Sequence, residues 1–191
     1  MSENIKAAKD KIRKKILLKR QALTTDQVTK LSSIIISKIL RLKKIKDFQN
    51  YLIYLPTKNE VDTKLLIHFL IQNRKNIYVP ALVENDWTIS QFKSLDGLVK
   101  NKYKTLQPKK ISAVSSNKID VAIVPGVAFD KKGVRLGYGK GVYDNLLKKF
   151  KGLKIGLAYE FQIVERLPAE SHDLKTDLIV TEKQVVNLAS I

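Results

Sequence analysis

The sequence predicts an α/β protein: a mostly parallel sheet with helices on both faces. Three observations predict it. After residue 50, short apolar, β-prone runs alternate with helical patterns, at Tyr51 to Leu55, Asn76 to Pro80, Asp120 to Val124, Leu153 to Tyr159 and Asp177 to Val180. Before it, residues 1–46 form two amphipathic helices carrying 14 cations and 3 anions. After the third run, Val124 to Leu147 holds five of the eight glycines, the sign of a strand, a glycine-rich loop and a helix. A chain of 191 residues, 44% of them hydrophobic, predicts one domain over 1–191, with helices 1–46 packing on an α/β body over 50–191.

Composition excludes several chemistries. There is no Cys, so disulfides, thiolate metal sites and a thiol nucleophile are impossible. No signal-like segment and no 18-residue apolar run stand out, so a cytoplasmic protein with no membrane partner is expected. A monomer is the expected state. The net charge of +18 favours anionic partners such as nucleotides, nucleic acid or an anionic membrane. Yet 30 of the 36 cations are Lys, and Ile and Asn are plentiful, as an AT-rich genome gives. No specific nucleic-acid partner is therefore expected.

The first helix spans Ile5 to Leu23, with a stripe of Ile5, Ala8, Ile12, Ile16 and Leu23. Its other face, including Lys9, Arg13 and Arg20, reads as a solvated basic face. Lys9 and Arg13 are four apart and share a face, so they could instead grip a polyphosphate. Thr24 or Thr25 caps a second helix that runs to about Lys46. The strand at Tyr51 to Leu55 ends in a loop, where Glu60 reads as a solvated carboxylate and Asp62 as the N-cap of a helix over 63–74. Glu60 also lies past a strand's C-terminal end, where open α/β sheets bind ligands. Trp87 to Phe92 reads as an edge strand, with Trp87 in core or rim rather than a stacking platform. Lys100 to Asp120 is mostly loop. His172-Asp173 reads as surface loop.

The glycine-rich stretch, VPGVAFDKKGVRLGYGKGVYDNLL, places Lys131, Lys132, Arg135 and Lys140 among its glycines. Glycines permit positive φ and close backbone approach, and a helix N-terminus adds N–H donors. The stretch is therefore a phosphate cradle or a long surface turn. It has neither the P-loop spacing nor G-x-G-x-x-G.

PGVAFD followed by G-x-RLGYGKG-x-YD resembles the signature of the 5-formyltetrahydrofolate cyclo-ligase family. The resemblance runs from about Lys9 to Glu182. It implies a three-layer α/β/α sandwich of the NagB/RpiA/CoA-transferase-like kind. It implies ATP-dependent closure of 5-formyltetrahydrofolate, with or without a polyglutamate tail, to 5,10-methenyltetrahydrofolate, ADP and phosphate, with Mg²⁺. Lys9 to Arg13 matches the family's nucleotide-binding Lys-x-x-x-Arg. Leu55-Pro56 followed by Glu60-Val61-Asp62-Thr63 matches the segment whose Glu binds folate. The ATP site then comprises Lys9, Arg13, Arg135, Gly137, Tyr138, Gly139, Lys140, Gly141 and Tyr143. The folate site comprises Leu55, Glu60, Tyr138, Gly139 and Val142. Arg135 and Lys140 are the catalytic candidates, and Asp144 and Asp173 the metal candidates. Gln107, in the Gln-Pro element, receives no catalytic role. Val142 stands where Tyr is frequent and Asn145 where Arg is frequent, which bears on the pocket. Two other classes use the same features: a sugar-phosphate isomerase or CoA-transferase-like enzyme without ATP, and a basic RNA-binding module.

Overall fold

The computed structural model describes residues 2–170 and 173–188. Three helices lead: α1 (Ser2–Gln21), α2 (Thr25–Arg41) and α3 (Lys43–Asp47). Strand β1 (Asn50–Leu52) and α4 (Lys64–Gln72) follow, then a long hairpin of β2 (Asn76–Val83) and β3 (Asp86–Phe92). Short strands β4 (Leu98–Lys100), β5 (Leu106–Pro108) and β6 (Ala113–Val114) come next. Strand β7 (Val121–Pro125) leads into the glycine-rich stretch, which holds β8 (Ala128–Asp130), β9 (Arg135–Leu136) and α5 (Val142–Leu146). Then come β10 (Leu153–Leu157), β11 (Ile163–Val164), β12 (Leu178–Val180) and β13 (Val185–Asn187).

The main sheet has the order β13-β12-β10-β7-β1-β2-β3-β6. Its four central pairings, from β12 to β2, are parallel, and its flanks are antiparallel. Strand β7 is buried throughout from Val121 to Val124, as a central parallel strand covered on both faces must be. From β1 the chain crosses through α4 to β2 on one side, and from β7 through α5 to β10 on the other. Right-handed crossovers then set α4 and α5 on opposite faces, which makes three layers. It also makes the gap between β1 and β7 the point where strand order reverses.

The helix starts follow local chemistry. Thr24 Oγ1 accepts from Gln27 N at 3.2 Å and Gln27 Oε1 accepts from Thr24 N at 2.9 Å, a reciprocal cap for α2. The helix does not reach Lys46: Leu42 turns extended, and α3 restarts after it so that Ile45 enters the core. Thr63, not Asp62, occupies the N-cap position of α4, because its hydroxyl donates to Tyr54 O inside the fold. Asp62 Oδ1 still accepts from Lys64 N, so the carboxylate caps from one residue further out. Strand β3 is not an edge, since β6 pairs outside it at Ile89 and Ser90. Lys100 to Asp120 holds β5, β6 and a 3₁₀ turn, so it is less irregular than its composition implies.

Helix α1 packs on a separate small sheet of β11, β8 and β9, where Ile16 meets Val127, Ala128, Val134, Leu136 and Leu167. The face it buries is rotated from the apolar stripe expected. Ala8 is exposed, and the inward row is Lys9, Arg13, Ile16 and Arg20 at spacings of four, three and four. No helix among the described residues is long and apolar enough to cross a membrane.

Candidate active site

Two loops leave the C-terminal ends of β1 and β7, side by side at the reversal point, the crevice where open α/β sheets bind ligands. The β1 loop is tightly held. Lys58 and Asn59 adopt left-handed φ of 49° and 58°, a conformation that asparagine tolerates better than most residues. Asn59 Nδ2 donates to Arg20 O at 3.3 Å and to Leu23 O at 3.0 Å, capping the C-terminal end of α1. Glu60 is buried at 7% exposure, so it is no solvated loop carboxylate. Its Oε2 accepts from Thr57 N at 2.9 Å, its Oε1 accepts from the Tyr138 hydroxyl at 3.3 Å, and its backbone carbonyl accepts from Tyr159. Burial pushes its carboxyl above the usual range, and Arg20 and Thr57 oppose that shift. Leu55 is buried beside it.

The β7 loop is a hairpin followed by a tip. Asp130, buried at 1%, holds the hairpin turn by accepting from Lys132 N, Val134 N and Leu167 N at 2.9–3.0 Å. The expectation of a plain strand, loop and helix missed β8 and β9, whose two or three residues carry no readable periodicity. Arg135 lies beneath the tip at 6% exposure. Its guanidinium donates to Pro125 O at 3.2 Å and to Asp144 Oδ2 at 3.1 Å, and lies 5.4 Å from the Tyr143 ring centre. A Cβ on Gly137 would sit 2.8 Å from that guanidinium, so glycine is needed there. Gly139 has φ +90°, and Gly141, with φ +62°, precedes α5. Tyr143 is buried, and Val142 and Tyr138 are on the open side.

Helix α1 reaches this loop with the row it turns inward. Arg13 Nε donates to Gly137 O at 2.8 Å, and a second arm pairs with Asp10. Lys9 Nζ lies 2.9 Å from Glu170 and 2.7 Å from Asp173. Burial lowers its basicity, but the two carboxylates outweigh that and hold it above the usual lysine value. Arg20, which reads in sequence as solvated, is 1% exposed. It donates to the Tyr138 hydroxyl and, at 3.5 Å, to Gly126 O. Its guanidinium lies 5.5 Å from the Tyr138 ring centre.

Lys140 stands apart from Arg135. Its ammonium lies 3.3 Å over the Tyr103 ring, at a cleft of about 700 Å³ that Asn85, Asp86, Trp87, Tyr103, Val142 and Asn145 also line. Trp87 lies at the rim as expected, half-buried, and stacks on Tyr103 at 5.9 Å with 14° between their planes. Val142 and Asn145, the departures noted in sequence, both face this cleft. Gln107 is buried and bonds both backbone groups of Leu82, a structural role.

Most predicted site residues thus converge: Glu60, Tyr138 and the glycines meet at the crevice, with Lys9 and Arg13 behind them. Arg135 and Lys140 do not share a face of the loop. Asp144 holds Arg135 and also accepts from Leu174 N at 3.0 Å, which brings it beside the Asp173 segment. His172 lies outside the described residues. Two oxygen-donor carboxylates suit a hard ion such as Mg²⁺, which needs few protein ligands. Among the described residues no cluster of three or more His, Cys, Asp or Glu could hold a metal. Sequence reasoning missed Arg20 and the Trp87–Tyr103 stack. The available signal for Arg20 was its type, in a chain that uses Arg for only six of 36 cations.

Residues 5–182 match the model of the 5-formyltetrahydrofolate cyclo-ligase family. The chain is 30% identical to the 5-formyltetrahydrofolate cyclo-ligase of Escherichia coli over 175 residues, which cover 87% of this chain and 96% of that one. The Haemophilus influenzae enzyme of the same name is 31% identical over 174 residues, covering 87% and 93%. The solved structure of Aquifex aeolicus 5,10-methenyltetrahydrofolate synthetase superposes with a TM-score of 0.86 at 38% identity, covering 96% of this chain and 94% of that one. The Mycoplasma pneumoniae 5,10-methenyltetrahydrofolate synthetase gives 0.75 at 30% identity, covering 91% and 98%. With the match over residues 5–182, the shared fold and the motif on the β7 loop, the chain belongs to the 5-formyltetrahydrofolate cyclo-ligase family.

Proposed function

We propose that the protein uses ATP to close 5-formyltetrahydrofolate to 5,10-methenyltetrahydrofolate, releasing ADP and phosphate. The observation that carries this reading is the meeting of the two loops: Tyr138 of the glycine-rich tip bonds Glu60 of the β1 loop across the crevice. A buried carboxylate there suits the donor edge of a pterin, which offers adjacent N–H groups. Glycines, cations and the helix row of Lys9 and Arg13 suit a triphosphate beside it.

The formyl oxygen is a poor leaving group, so it attacks the γ-phosphorus, the bond from that phosphorus to ADP breaks, and the oxygen becomes a phosphate ester on an iminium carbon. N10 then adds to that carbon and gives up its proton, the C–O bond breaks, and phosphate leaves. No protein nucleophile is required. The protein's part is to bring the formyl oxygen in line with the phosphorus and to neutralise charge there. Lys140 supplies a mobile cation from the rim. Arg135, fixed by Pro125 O and Asp144, sets the loop's shape and its positive field from below. Glu60, Leu55, Tyr138, Gly139 and Val142 hold folate, and Lys9, Arg13 and the backbone from Gly137 to Gly141, with Tyr143, hold ATP. Asp144 and Asp173 would hold Mg²⁺, which when bound neutralises phosphate oxygens.

The test is the absorbance of the methenyl product formed from 5-formyltetrahydrofolate by purified protein. Product is expected only with Mg-ATP. Folded protein that makes none across pH and metal conditions contradicts the reading.

A further inference from the structure

We propose that Arg20 is a positioning residue for this reaction: from the end of α1 it grips the Tyr138 hydroxyl and through it orients Glu60 and favours its carboxylate form. The inference rests on the reading of Glu60 as the folate carboxylate.

The geometry is a relay. Arg20 donates to the Tyr138 oxygen, and that hydroxyl donates onward to Glu60 Oε1 at 3.3 Å. Arg20 is 1% exposed, and a guanidinium cannot shed its charge, so the fold must balance it nearby. Its other described contacts are the Gly126 carbonyl and the Tyr138 ring, both neutral, and its Nε has no hydrogen-bond partner among the described residues. Glu60 is the acid it faces. Conversely, burial disfavours the charge of Glu60, and few of the groups around it carry a countercharge. Tyr54 from the end of β1, Tyr143 from α5 and Tyr159 after β10 are buried phenols, and Lys58 in its own loop lies over the outer face of Tyr138, 5.6 Å from the ring centre. Thr57 donates to it from its backbone and its hydroxyl, which favours the charged form but supplies no countercharge. Arg20 is thus the buried cation that favours ionised Glu60, and the Tyr138 hydroxyl, pushed up to about 12 by burial and by Glu60, stays protonated as its donor.

The second link is mechanical. Asn59 of the Glu60 loop caps α1 at Arg20 O and Leu23 O, and the same helix carries Arg13 to Gly137 O. One rigid helix therefore sets the spacing between the carboxylate and the glycine-rich tip.

The test is a ¹³C-carboxyl NMR titration of glutamate-labelled full-length protein, with the Glu60 signal identified by its loss in Glu60→Gln. The Glu60 midpoint is expected to rise in Arg20→Met and in Tyr138→Phe, and to rise less in Arg20→Lys, which keeps a cation. Affinity for 5-formyltetrahydrofolate should fall about tenfold at pH 6 and less at pH 8.5 in the first two variants. If Arg20→Met fails to fold, Tyr138→Phe carries the test, because Tyr138 is 41% exposed and loses only its hydroxyl. A Glu60 midpoint unchanged in Tyr138→Phe and Arg20→Lys overturns the proposal, as does an affinity loss equal at both pH values. Wild-type protein that binds no 5-formyltetrahydrofolate overturns the folate reading instead, while the titration still judges the link between Arg20 and Glu60.

Discussion

The loops after β1 and β7 face each other across one crevice and are built in opposite ways. The β1 loop buries its functional group: Glu60 is held at both carboxylate oxygens and at its backbone carbonyl. The β7 loop buries only its base. Arg135 is locked on Pro125 and Asp144, while Tyr138 is 41% exposed and Lys140 stands in the open. A carboxylate that must match a flat hydrogen-bonding edge gains from being fixed in advance. In the proposed reaction, a cation that follows the phosphoryl group gains from an exposed tip on a fixed base.

The sharpest way to break that contrast is to unlock the base. Arg135→Ala leaves Asp144, which is half-buried, without its cation, and stability should drop by roughly 1–3 kcal/mol in urea unfolding. Arg135→Lys keeps the charge but loses the fork that spans Pro125 O and Asp144. Its turnover should fall by more than about tenfold. Parent-like turnover and stability in Arg135→Lys would show that the base needs no guanidinium.

Next in size is the support from α1. Lys9→Ala and Arg13→Ala should each weaken ATP by roughly ten- to a hundredfold and leave folate binding nearly intact. Equilibrium binding of both ligands to both variants checks this. Lys9 adds a pH signature. Its folded pKa lies above the ordinary 10.5. The stability it contributes is therefore present in full below pH 10.5 and lost as pH rises past the folded value. Alkaline unfolding of Lys9→Ala should show a shallower decline.

The smallest effect expected is at the tip itself. A Cβ at Gly139 would stand 3.6 Å from the Arg13 guanidinium, an ordinary contact, so Gly139→Ala suffers from its φ of +90° and not from a clash. Strain of about 1–2 kcal/mol should weaken both ligands roughly five- to thirtyfold without unfolding the chain. Thermal melting beside two binding titrations measures it, and a loss confined to one ligand would mean the tip serves only that one.

What the sequence made legible follows range and period. The parallel strands and the capping Thr24 are local patterns, and the β7 motif is contiguous, so each was readable. The small sheet was not, because β8, β9 and β11 span two or three residues and exist only where α1 packs on them. Arg20 was hidden by its neighbours: among so many lysines its face read as solvent. The spacing of Lys9, Arg13, Ile16 and Arg20 does describe one helix face, but an apolar rule for inward residues discards it. The Trp87–Tyr103 stack joins a hairpin to a loop about sixteen residues on, and no periodic pattern marks the pair.

The central claim is that the β1 loop recognises folate while the β7 tip performs the transfer. Single-turnover formation of the methenyl product, set against equilibrium binding of both ligands, in Glu60→Gln and Lys140→Ala tests it most directly. The account predicts that Glu60→Gln loses folate affinity by about tenfold or more with ATP affinity kept. It predicts that Lys140→Ala keeps folate affinity and loses about tenfold or more in the single-turnover rate. Folate affinity unchanged in Glu60→Gln, or a parent-like single-turnover rate in Lys140→Ala, would contradict it.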